Sequence, residues 1–244
     1  MFRIVTYDLN SKAYTLLLRA LDAKGIKPYD SEYRHRESDV VLNWGLYGRR
    51  SFPVVMNQWG AVEICTSKLK TFKAFRDNGV AHPEWTRLFD VAHYWQSKGE
   101  TVYERQEDNG CMGAGIRVCH RDDTLHNALF YTVGFPIHRE FRVYTAYNQV
   151  IDIREKVRPL AVEVDLEIRA SDDWLYSVRE PDQVPRALLE QSLKATNAVG
   201  LDFCGVDIAL NRENDPCVFE VNSAPWLGNR TVDRLVSILK EKYG

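Results

Sequence analysis

The sequence lacks most of the patterns that announce a chemistry. Its five cysteines are odd in number and contain no C-x-x-C pair. That argues against a disulfide framework or a zinc site and points to reduced thiols in a cytosolic, cytoplasmic protein. No stretch approaches the ~20 apolar residues of a membrane span. The opening MFRIVTYDLN has no apolar core of the signal-peptide kind. Charge of one sign is also missing: 32 basic and 34 acidic residues leave a net charge of −2. No global field therefore draws the protein to nucleic acid or membrane. Internal repeats, low-complexity runs and Pro/Gly-rich linkers are absent. The histidines are scattered, and no Ser/His/Asp or Cys/His arrangement offers a protein nucleophile.

What is present is ordinary in bulk. Hydrophobic residues make up 45% of 244 residues, enough for a sizeable core in one large domain or two to three coupled subdomains. FRIVTY, DVVLNWG and PVVMN read as strands. Ser11 to Lys24 carries apolar residues at helical spacing, with Gly25 as its C-cap. These predict a small α/β unit with a parallel sheet over the first 60 or so residues. A helix over Ser67 to Asn78 follows, capped by Thr66 or Ser67, then a helix over Asp90 to Lys98 and the strands TVYERQ and IRVC. FRVYTAYNQVIDIREKVR predicts a hairpin turning near Tyr147-Asn148-Gln149, and Pro185 to Val199 an amphipathic helix. GVDIAL and CVFEVN predict a second hairpin around NRENDP, and Thr231 to Lys242 a closing helix. Trp174 and Tyr176 read as core or loop packing.

The second hairpin carries the acids. Residues two apart on a strand share a face, so Glu220 and Asn222 point together, away from Val221. If Leu210 stands opposite Cys217, Asp207 stands opposite Glu220 and three oxygen-bearing side chains converge. Opposed carboxylates repel unless a cation lies between them, and hard oxygen ligands suit Mg²⁺. A solvated polar face on an edge hairpin is the competing reading. A slip of one residue would undo the convergence.

Gly110, Gly113 and Gly115 form a loop whose backbone amides could approach phosphate, although it is neither a P-loop nor a G-x-G-x-x-G turn. Arg105 in the preceding strand, Arg142 in HREFRVYT, and Arg154 with Lys156 on one face of the returning strand are either solvated or gathered in one cleft. Lys68, Lys70 and Lys73 cluster on the helix after Ser67. Arg49-Arg50 reads as a solvated loop or a greeting for an acidic substrate.

Taken in order, SKLKTFKAFRDNGVAHPEWT, VYERQEDNGCMGAGIRVC, HREFRVYTAYNQVIDIREKVR and GLDFCGVDIALNRENDPCVFEVNSAPWL resemble the four blocks of the ATP-grasp superfamily, carboxylate–amine ligase type, over about residues 60 to 244. The fold class that this implies is α/β and α+β: an ATP-grasp fold with a small N-terminal α/β domain. The implied divisions are 1–62 on the substrate side, 63–133 as the central lobe and 134–244 as the C-terminal lobe with the metal site. The resemblance implies ATP and Mg²⁺ as cofactors, with Asp207, Glu220 and Asn222 as metal ligands. It implies Lys68 (or Lys70) and Arg105 on phosphate, and the loop with Met112, Gly113, Ala114 and Gly115 over the triphosphate. Backbone groups of Tyr131, Thr132 and Val133 would meet the adenine edge. Arg142, with Arg154 or Lys156, would face phosphate or an acyl phosphate. The family uses lysine where this chain has Arg105, which binds phosphate by a planar fork instead. The implied reaction joins a carboxylate to an amine through an acyl phosphate, releasing ADP and phosphate. The acid and amine are small molecules or peptides, and a homo-oligomer is possible. A kinase of the same fold and a non-catalytic nucleotide-binding protein are the alternatives.

Overall fold

In the computed structural model, residues 1–30, 32–48, 50–109, 113–158 and 174–244 are described. The chain opens with β1 (Phe2–Thr6), α1 (Lys12–Ala20), β2 (Lys24–Ile26) and β3 (Val40–Trp44), whose strands form a parallel sheet in the order β2-β1-β3. Two expectations fail here. Gly25 lies inside β2 and does not cap α1. The helix ends at Leu21, and Asp22 takes the left-handed turn at φ 48°. PVVMN is not a strand: it touches the sheet through a single parallel bridge between Leu42 and Met56. Asn57 explains why the pairing stops. Its backbone is left-handed (φ 57°), and its buried side chain leaves the sheet to bond Phe203 O, Ser223 O and the amides of Asp202 and Phe203.

Helices α2 (Trp59–Cys65), unexpected from the sequence, and α3 (Lys68–Asp77) lead to β4 (Trp85–Thr86), α4 (Phe89–Ser97), β5 (Val102–Arg105), β6 (Ile116–Cys119) and β7 (Phe130–Val133). These strands form an antiparallel sheet in the order β4-β7-β5-β6. The third sheet has five antiparallel strands in the order β10-β9-β8-β11-β12. They are β8 (Arg139–Ala146), β9 (Gln149–Val157), β10 (Leu175–Arg179), β11 (Phe203–Leu210) and β12 (Pro216–Asn222), with α5 (Arg186–Val199) and α6 (Asn229–Tyr243) completing the chain. Tyr147 and Asn148, both at positive φ, make the expected tight turn between β8 and β9. Gly200, at φ 74°, ends α5 as a left-handed cap.

One face of the five-stranded sheet is the main core. Phe141, Val143, Ile153, Val206, Ile208, Leu210, Val218 and Val221 pack there against Val62, Phe72, Phe75, Leu188, Ala195 and Val199 of α2, α3 and α5. Burying each side chain of the Leu188 kind contributes about 2 kcal/mol. A second core holds α1 and α6 against Ile4, Leu42, Tyr144 and Phe203, binding the parallel sheet to the five-stranded one. The rest of the face opposite the main core, beyond Tyr144 and Phe203, is left for polar groups.

Candidate active site

Alternation along the strands builds that polar face. A single row of cross-strand partners runs Glu220, Asp207, Arg142, Arg154, from β12 through β11 and β8 to β9. The next row runs Ala209, Glu140, Lys156, Tyr176, reaching β10.

Asp207 stands opposite Glu220 as expected, by another route. The turn is closed by Asn211, whose backbone and side chain bond Asp215, so Leu210 pairs with Pro216 and not with Cys217. A β-bulge then absorbs the offset: Ile208 pairs with Val218 and Asp207 with Glu220, leaving Phe219 as the extra residue. The bulge also corrects the face assignment. Val218 joins Val221 in the core instead of lying with Glu220. Phe219 is only half-buried and meets Phe135, on the linker after β7, edge to face at 6.1 Å.

Arg142 holds Asp207 by two parallel bonds of 2.7 and 2.8 Å, and Asn222 Nδ2 donates to the same carboxylate at 3.1 Å. Burial alone would lower the Arg142 pKa, but the Asp207 charge and its paired hydrogen bonds hold it above the usual arginine value. Lys68 Nζ donates to Glu220 at 2.9 Å. Its rival Lys70 points away, to exposed Glu63 at 2.7 Å. Arg105 completes the group: burial depresses its pKa while the negative charge of Glu220 pushes it back up. Lys68 and Arg142 thus bond the two carboxylates, while Arg105, whose Nε donates to Thr132 at 3.4 Å, lies within reach of the Glu220 charge.

The oxygen set fits a divalent ion of the Mg²⁺ type. Asp207, Glu220 and Asn222 lie side by side. A carboxylate accepts at about four positions, so Asp207 keeps capacity beyond Arg142 and Asn222. Among the described residues no three His, Cys, Asp or Glu side chains cluster to hold a metal.

The remaining residues divide. Lys156 bonds Glu140 at 3.1 Å and lies over Trp174 at 5.0 Å. With Glu140, Phe141, Arg142, Tyr176 and Asp207 it lines a small cleft. Tyr176, read from sequence as packing, stands on β10 at 6.0 Å from the Arg142 guanidinium. Only the strand's pairing places it there. Arg154 shares the face but is bound to buried Asp152 at 2.8 Å, beside Arg230 and Thr231. Tyr131, Thr132 and Val133 lie in β7, which has a partner strand on each side, and Val133 N donates to Glu84 O. Their backbone is committed to the sheet and the Gly134 amide is bonded to Thr101 O at 2.7 Å, so the linker leaves the sheet at Phe135. Gly113, Ala114 and Gly115 close the glycine loop, whose base is pinned by Gln106 N on Gly115 O at 2.8 Å. Met112 and Gly110 lie outside the described residues, as does Arg49. Arg50 bonds Pro28 O and Gly48 O.

Solved structures decide the fold. An ATP-grasp ligase, PsnB, complexed with a minimal precursor, Mg and ADP, superposes with a TM-score of 0.72 at 15% identity, covering 100% of this chain and 97% of that one. It has the ATP-grasp fold. D-alanine–D-alanine ligase from Bacillus anthracis matches this ATP-grasp chain with a TM-score of 0.65 at 14% identity over 99% of each. By sequence the ATP-grasp protein is similar to the tetrahydromethanopterin:alpha-L-glutamate ligase of Methanocaldococcus jannaschii, 25% identical over 238 residues, 91% of this chain and 78% of that protein. No family model matches. Among the described residues of the ATP-grasp protein, no helix is long and apolar enough to cross a membrane.

Proposed function

We propose that the protein is an ATP-dependent ligase that joins a carboxylate to an amine through an acyl phosphate, releasing ADP and phosphate. The observation that carries this reading is the row Glu220, Asp207, Arg142, with Lys68 bonded to Glu220. Asp207, Glu220 and Asn222 hold Mg²⁺, which when bound neutralises charge on the transferring phosphoryl group. Lys68 and Arg105 bind the polyphosphate, and Gly113 to Gly115 lay backbone amides along it. Arg142, fixed in place by Asp207 and flanked by Tyr176, faces the oxygens of the phosphoryl group as it passes to the acid. Phe135 and Phe219 meet where the linker leaves the sheet and flank the base. Lys156 lines the cleft beside Arg142 and contacts the acyl phosphate. Arg154, tied to Asp152, supports the face from behind.

The acid enters where the parallel strands end, the usual place for ligands in an open α/β sheet. Gly45 there has φ 76°, and a Cβ on it would lie 2.7 Å from Ala224 and 3.0 Å from the Tyr7 ring. The loops after β1 and β3 thus touch the segment that follows Asn222, which carries exposed Trp226.

The test is ADP release with Mg²⁺ and ATP against a panel of amino acids and peptides, L-glutamate first among the amines, with mass spectrometry of the product. The expected result is phosphate release that waits for an amine. Phosphate transferred to the acid as a stable product would make the protein a kinase. Glu220→Gln is expected to fold normally and to lose turnover. Turnover retained in that variant would remove Glu220 from the metal site.

A further inference from the structure

Helix α3 begins in the wrong electrostatic register for a free-standing helix. Its first turns carry Lys68, Lys70 and Lys73 and no acid, although a helix N-terminus favours negative charge. Ser67 caps only one donor, the Lys70 amide, at 3.1 Å. The other two first-turn donors are satisfied from far along the chain. Asp108, at the root of the glycine loop, accepts the Lys68 amide on its backbone oxygen at 2.9 Å and the Leu69 amide on Oδ1 at 2.8 Å. Its Oδ2 accepts the Ser67 hydroxyl at 2.5 Å. The missing acid of α3 is therefore supplied by the loop, and Lys68 is the first residue of the helix that it caps.

We propose that Asp108 is a positioning residue: it ties the root of the glycine loop to the start of α3 and so aims Lys68 at Glu220. The proposal rests on the ligase reading, because it gives Lys68 the polyphosphate as its ligand. The cap compensates the unfavourable charge at the helix start. It also ties Asp108 to the start of α3, so that the two move together.

The experiment is calorimetric titration of the full chain with Mg²⁺ and AMPPNP, well below the melting temperature. Asp108→Ala is expected to weaken binding about fivefold, the equivalent of losing one helix cap. Asp108→Asn, which keeps an oxygen for the Leu69 amide, should recover part of the loss. Asn78→Ala, which removes a side-chain bond to Ala74 O at the opposite end of α3, should leave the affinity unchanged. In a Lys68→Ala background the Asp108→Ala loss should vanish, because neighbours that act as one unit are not additive. Wild-type affinity in Asp108→Ala, or an equal loss in both backgrounds, would overturn the proposal. A wild-type protein that gives no heat with Mg²⁺ and AMPPNP would overturn the nucleotide site itself and this proposal with it.

Discussion

At the residue scale, the candidate site depends on planar charge recognition. Arg142 reaches Asp207 through two bonds at once, a geometry that lysine cannot reproduce. Arg142→Lys keeps the charge and loses the fork. It is expected to lower kcat by about 10²-fold with little change in melting temperature, the cost typical of one oriented donor at a developing oxyanion. Steady-state ADP release would measure it. Strand alternation named Asp207, Glu220, Asn222 and Arg142 in the sequence, and block order added Arg105 and left Lys68 beside its alternative Lys70. Tyr176 was not legible, because the side to which an isolated aromatic points depends on which strand pairs with it. Asp108 was not legible either. Its partners are about 40 positions away, and a local capping search stops at Ser67.

At the scale of elements, β12 shows how a correct pairing follows from a wrong register. The expected turn was one residue too long, and the bulge at Phe219 restores the facing of Asp207 and Glu220. Periodicity cannot reveal a bulge, since it breaks the alternation on which the reading depends. Substitution and deletion at this position should therefore both leave Asp207 facing Glu220. Phe219→Ala keeps the extra residue and is expected to bind Mg²⁺ and AMPPNP, with affinity reduced only by loss of the contact to Phe135. Deletion of Phe219 removes only the unpaired residue, leaves Val218 opposite Ile208 and Glu220 opposite Asp207 in an unbroken ladder, and is expected to retain binding as well; calorimetry compares the two. The failed third strand has a similar cause. Val54 to Met56 look like a buried strand because they are buried, but Asn57 draws the chain toward Phe203 and Ser223 before a ladder can form.

At the scale of the whole molecule, stability against acid should come from carboxylates distributed over its sheets. Glu104, almost fully buried on β5, is raised by desolvation but lowered further by paired bonds from Arg117 and by the His126 amide. Hydrogen bonds from Arg139 and Arg179 likewise lower Glu155 on β9. Asp39 is lowered by Arg3, the Arg36 amide and Tyr33, against its own desolvation. A carboxylate depressed in the folded state stabilises fully above its unfolded pKa and ceases to do so as pH falls through the folded value. Urea denaturation between about pH 7 and pH 3 should show stability falling below about pH 4.5, the ordinary glutamate range. Glu104→Gln is expected to be less stable at neutral pH and to lose part of that acid dependence. The order of the three sheets was readable from the sequence as blocks. Their docking was not, because it rests on side chains such as Asn57 and Tyr144, whose partners lie on other elements.

The three cations around Asp207 and Glu220 have a consequence for how the cleft fills. Free magnesium would enter a place that already carries surplus positive charge, so it should bind weakly by itself. Under the ligase reading, a polyphosphate brings more negative charge than the ion brings positive, and the chelate of the two is the species expected to enter the cleft. Activity should follow the concentration of that chelate and not that of the uncomplexed metal.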